Sequence, residues 1–227
     1  FGALPVFAQR SVPMRVRVAL AFMIAFCAQA TLPTMPVIPL DSGPAVLAIV
    51  QQILIGASLG FAVRIVFAAV EFAGELIGLQ MGLNFAGFFN PMTGGEATAT
   101  SRFYGVAVSW LFIVINGHLL LIAAIVQSFH AFPVGPDPFA FLRAVQPQTW
   151  GSEIFRLGLW IALPLVGMLL FTNLILGVIS RVAQQMNIFA IGFPITVSVG
   201  LIGMLLTLPM MQMPFTMAIE RMLAHFQ

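Results

Sequence analysis

Long uncharged apolar runs alternate along the chain with short stretches rich in Pro, Gly and polar residues. The runs cover residues 18–32, 45–63 (continuing past Arg64 to about residue 83), 104–126, 157–180 and 186–213. A helix needs about 20 residues to cross the hydrocarbon of a bilayer. By that measure the first run is short and the others suffice. Pro164, Pro194 and Pro209 fall inside the later runs and predict kinks. The period-2 alternation of a membrane barrel is missing. The pattern therefore predicts an all-α membrane protein of kinked hydrophobic helices. Three stretches read as connectors: the Pro-rich 31–44, the Gly- and Thr-rich 84–102, and 131–148 with its PVGPDP turn chemistry.

Composition sharpens this picture. Hydrophobic residues make up 60% of the 227 and charged residues 7%, against roughly 45–50% and 25% in soluble domains. Too few charges remain to cover a water-facing surface. The net charge of +2 comes from nine Arg and no Lys. Apart from Arg15 and Arg17 they stand singly, so no basic stripe for nucleic acid exists. Arg10, Arg15 and Arg17 favour a cytoplasmic start. Nothing at the start reads as a signal peptide. Cys27, alone and inside an apolar run, excludes an intrachain disulfide and reads as a small buried hydrophobe.

The most informative stretch is residues 50–87. As continuous helix at about 100° per residue, it places Gly56, Ala57, Gly60, Arg64, Ala68, Glu71, Gly74, Glu75, Gly78 and Gly82 on one arc, with Phe67. Small residues at four-residue spacing let another backbone approach. Charges within a span cost roughly 2.5–3.5 kcal/mol each on insertion scales, so they face protein or water. Glu71 and Glu75, at i,i+4, repel unless one is protonated or a partner intervenes. Interhelical contact in an assembly, a hydrated or proton-linked pathway, and a carboxylate pair doing chemistry all stay open. The last is disfavoured because no nucleophile, metal-ligand spacing or His partner accompanies it. His118 interrupts an apolar run without a second ligand at i±3 or i±4. The 13 Met are spread along the chain, with Met210, Met211 and Met213 the only dense cluster. Neither feature predicts a metal or another cofactor. In 84–102, Phe85, Phe88, Phe89 and Met92 precede Gly94-Gly95. They set bulky groups on a permissive backbone able to occlude an opening or to form an ordinary surface loop. No Gly-Lys-Ser/Thr ending marks a phosphate loop.

Several segments together resemble the FliR family, the export-gate component of the flagellar type III secretion apparatus. They are Arg10-Ser11-Val12-Pro13, VQQILIGASLGF (50–61), AGELIGLQMGLNFA (73–86), NGH (116–118), FHAFPVG (129–135) and the block ALPLVGMLLFTNLILGVISRVAQQMNIFAIGFPITVSVG (162–200). They keep the family's order over most of the chain. The resemblance implies a non-enzymatic protein, one subunit of a helical pore assembly with FliP and FliQ, with FlhB at its cytoplasmic side. Its cargo would be unfolded flagellar subunits. It also implies a single export-gate domain over 1–227. Residues 1–150 would be FliP-like and 151–227 a FliQ-like helical hairpin, packed around 157–227 with a turn near 181–187. A further N-terminal helix precedes the matching segments in the family, so the sequence looks trimmed. By position, the family's pore-plugging loop corresponds to residues 84–100, with Phe85, Phe88, Phe89, Asn90, Pro91 and Met92 as its obstructing part. Arg64, Glu71, Gly74, Glu75, Gly78 and Gly82 would then make subunit contacts. The implied place is the inner membrane within the basal body, much of the protein raised towards the periplasm inside the basal-body ring. A homologous virulence-system gate, or a proton-coupled secondary transporter using Arg64, Glu71 and Glu75, are the competing expectations.

Overall fold

The computed structural model describes residues 12–32, 38–39, 41–83, 97–133, 140–183 and 188–226. Among them the chain is helical, without a strand. The helices are α1 (Met14–Ala28), α2 (Gly43–Met81), α3 (Ala99–Val114), α4 (Gly117–Ala131), α5 (Ala140–Val145), α6 (Gly151–Val182), α7 (Ile188–Thr207) and α8 (Gln212–Leu223). Short 3-10 turns follow α1, α5, α7 and α8. Among the described residues four stretches are long and apolar enough to cross a membrane: Met14–Thr31, Gly43–Met81, Phe141–Val182 and Ala190–Phe226. The all-α membrane class expected from the hydropathy pattern is the one observed.

Three boundaries differ from the sequence reading. The expected single run 104–126 is two helices, α3 and α4, bent by 68°. Asn116 adopts a left-handed backbone (φ 57°) at the break, a conformation Asn tolerates better than other non-glycine residues. Next to it, a Cβ on Gly117 would fall on the Phe112 ring, so the bend needs both residues. The expected connector 131–148 contains α5, whose Phe141 and Val145 are buried. Burial of Phe141 and Val145 holds this short helix in a stretch whose composition reads as a connector. Pro164 and Pro194 lie inside α6 and α7, whereas Pro209 sits in the 3-10 turn Leu208–Met211 that separates α7 from α8.

The chain divides into two compact units. The first comprises residues 1–67, 109–152 and 216–227. Its core is aromatic. Phe67 meets Phe112 edge-on at 5.5 Å, and Phe61 stacks on Trp150 at 6.3 Å. Trp150 also packs on Phe226 at 5.9 Å, which packs on Phe141 at 6.3 Å, itself edge-on to Phe132 at 5.4 Å. Trp150 thus ties the end of the chain to α2. Trp150→Ala is expected to destabilise this unit by about 3–5 kcal/mol, the range for a large aromatic removed from a close-packed site. Thermal unfolding of the detergent-solubilised chain checks it, with a drop under 1 kcal/mol as the contrary result. On α1 no residue is buried. Cys27, expected as a buried hydrophobe, is therefore exposed, because α1 packs no side fully against the chain.

The second unit comprises residues 68–108 and 153–215. Here small residues set the packing. A Cβ on Gly158 would stand 2.8 Å from the Ala69 carbonyl oxygen, and one on Gly200 would stand 2.6 Å from the Met81 side chain. Tyr104 is buried in this core, and the Thr207 hydroxyl donates to the Gly203 carbonyl at 2.8 Å. Phe72 and Phe155 meet edge-on at 5.4 Å.

Candidate functional site

Two helix ends frame residues 84–96, and the sequence explains both. Helix α2 stops at Met81 because Gly82 takes a positive φ of 79°, open to glycine at little cost. The Gly82 N–H donates to the Leu79 carbonyl at 3.1 Å and the Leu83 N–H to the Gly78 carbonyl at 3.0 Å. This paired closure satisfies carbonyls that a helix end otherwise leaves bare. Gly82, expected on the continuous helical arc, is thus the residue that ends the helix. On the other side, the Thr98 side-chain oxygen accepts the Ser101 N–H at 3.2 Å and caps α3. Residues 99–102, expected in the connector, already belong to α3.

Between these ends the two helices touch at backbone distance. A Cβ on Gly74 would stand 2.9 Å from the Ser101 Cα and 2.9 Å from the Thr100 carbonyl oxygen. The Ser101 hydroxyl donates to the Glu71 carbonyl at 3.1 Å, and Thr100 and Ser101 are both buried. The Glu71 carboxylate lies over Gly105, its Oε1 3.1 Å from where a Cβ there would be. Sequence reasoning missed Thr98, Thr100, Ser101 and Gly105. A Thr directly before an apolar helical run was the available signal.

The predicted arc is only partly one surface. Gly60, Gly74 and Gly78 are buried within the chain, whereas Gly56, Ala57, Arg64 and Glu71 are exposed and Glu75 is half-buried. Gly74 therefore serves close contact inside the chain. The obstructing residues expected at Phe85, Phe88, Phe89, Asn90, Pro91 and Met92 lie outside the described residues. Among the described residues no group of three His, Cys, Asp or Glu side chains is placed to hold a metal ion.

Large apolar side chains also cover the outside of the long helices. On α6 alone Phe155, Trp160, Leu163, Phe171, Leu174 and Val178 are each at least 59% exposed. Such a surface demands lipid or protein. What the helices define is an integral membrane protein. Residues 1–222 match the family described as bacterial export proteins, family 1. The chain is 45% identical over 209 residues to the flagellar biosynthetic protein FliR of Escherichia coli, covering 91% of this chain and 78% of that one. It is 41% identical to that of Pectobacterium carotovorum (91% and 78% covered) and 34% to that of Aquifex aeolicus (91% and 80% covered). The chain belongs to the FliR family, and is an inner-membrane component of the flagellar export apparatus.

Proposed function

We propose that the chain is a non-enzymatic, pore-forming subunit of the flagellar type III export gate, assembled with FliP and FliQ and contacted by FlhB. Unfolded flagellar subunits pass through the shared channel, and of the expected plug 84–100 the part before the α3 cap, with Phe85, Phe88, Phe89, Asn90, Pro91 and Met92, obstructs it at rest. The observation that carries this reading is the mismatch between helix length and bilayer. Helix α2 has 39 residues, hence a length of about 58 Å against about 30 Å of hydrocarbon. Fitting it inside by tilt alone needs about 60°, beyond the usual range of roughly 0–40°. Helix α6, with 32 residues, reaches about 48 Å. Much of α2 is covered by the chain itself, whereas α6 keeps an exposed apolar surface along its length, and cover by other subunits would satisfy the part that reaches beyond the bilayer. The same reading has the gate raised towards the periplasm inside the basal-body ring, and takes residues 1–150 as its FliP-like part and 151–227 as its FliQ-like part. The framed ends around residues 84–96 give an obstructing segment fixed points of attachment. The relatives reported above all carry a flagellar name, which favours flagellar over virulence cargo.

The test is the mass and composition of the complex purified from flagellated cells through a tag on this chain. Recovery of FliP, FliQ and FlhB in one large particle is expected. A chain recovered alone, folded and moving a small solute in liposomes, would overturn the proposal in favour of a stand-alone transporter.

A further inference from the structure

Arg64 is the single basic residue of α2 and is exposed. Among the described residues its guanidinium has neither an ion pair nor a hydrogen bond. Its surroundings constrain what can satisfy it. On a helix a long side chain leans over the turn N-terminal to its own Cα, here the turn of Gly60 and Phe61, with Ala57 one turn further on. Gly56 and Ala57 are exposed, and a Cβ on Gly56 would meet nothing within 4 Å. The flanks of this shallow surface are apolar and exposed: Ile53 at 64% and Phe61 at 47%.

Lipid tails offer no acceptor for five N–H donors. The apolar flanks do not make the wall of a water-filled passage. A second copy of this chain across a two-fold axis at this surface would bring Arg64 against Arg64, since such an interface pairs a patch with itself. A helix fits best. Small residues on α2 let it approach closely, and a helix satisfies its own backbone in an apolar setting. A carboxylate matches the planar donor fork of Arg in two parallel hydrogen bonds.

We propose that the Ile53–Ala57–Arg64 surface of α2 receives a helix of another gate subunit, whose Asp or Glu pairs with Arg64. This rests on the gate-subunit reading above and adds the place and chemistry of one contact. The experiment uses the intact gate purified from cells. A photo-activated crosslinker at Ala57 is expected to capture a peptide of another subunit containing an acidic residue. Arg64→Glu is expected to lower recovery of this chain in the complex by about tenfold or more, because opposing like charges away from water is strongly unfavourable, while Arg64→Lys retains more than Arg64→Glu. Changing the captured acidic residue to Arg is expected to restore assembly of Arg64→Glu, which separates lost pairing from a simple folding failure. Wild-type recovery of Arg64→Glu, crosslinks to lipid alone, or no rescue by the reversed pair would overturn this inference. If the unmutated chain recovers no partner, the gate-subunit reading itself fails.

Discussion

Deleting residues 87–96 is expected to make the assembled gate leak small ions, with conductance rising on the order of tenfold or more once an apolar constriction is removed. The segment supplies Phe88, Phe89 and Met92 ahead of Gly94-Gly95, large apolar groups next to two residues without a side chain. The boundary matters. A longer deletion, through Thr100, also removes the Thr98 cap of α3 and the Thr100 carbonyl packed at Gly74. Loss of a cap alone costs about 0.5–2 kcal/mol, so the longer deletion confounds leakage with damage to the α2–α3 contact. Planar-bilayer or whole-cell ion conductance reads the effect, with the complex checked for intact composition. Unchanged conductance in an intact complex lacking 87–96 would remove the plug assignment and leave family membership standing.

Gly74→Ala is expected to destabilise the second unit by about 1–3 kcal/mol, the usual cost of forcing atoms into a packed site. The Cβ would meet two backbone atoms, the Ser101 Cα and the Thr100 oxygen, both at 2.9 Å, so no side chain can rotate away to relieve it. The neighbouring Ser101–Glu71 hydrogen bond would be strained with it. Gly177 on α6 is the control, because a Cβ there meets nothing within 4 Å. Gly177→Ala should be neutral, or gain up to about 1 kcal/mol from helix propensity. Thermal unfolding of the solubilised chain distinguishes the two. Equal behaviour of both variants would show that α2 and α3 do not need this close approach. Motility should fail with Gly74→Ala to the extent that the chain no longer accumulates.

The hydropathy runs found the long helices because burial in an apolar medium selects residue type directly. The order of the matching segments pointed to the family before any geometry was known. Helix ends were less legible. Gly82 reads from sequence as one more small residue on the α2 arc, and only its positive φ and the two closing hydrogen bonds make it a terminus. Asn116-Gly117 reads as an interruption, yet the size of the bend depends on Phe112 standing where a Gly117 side chain would be. Trp150 and Phe226 gave no periodic signal, because the aromatic cluster joins residues far apart along the chain.

The polar face of α2 shows the same division. Sequence by itself determined that Arg64, Glu71 and Glu75 sit on a helix too apolar for water, with small residues at close-approach spacing, because helical period and transfer cost are local properties. It could not determine which small residue meets what. Tertiary structure turned Gly74 inward against Ser101 and left Gly56, Ala57 and Arg64 outward. That choice depends on where a second backbone passes, and the position of a neighbouring helix is not encoded in the periodicity of the helix it touches.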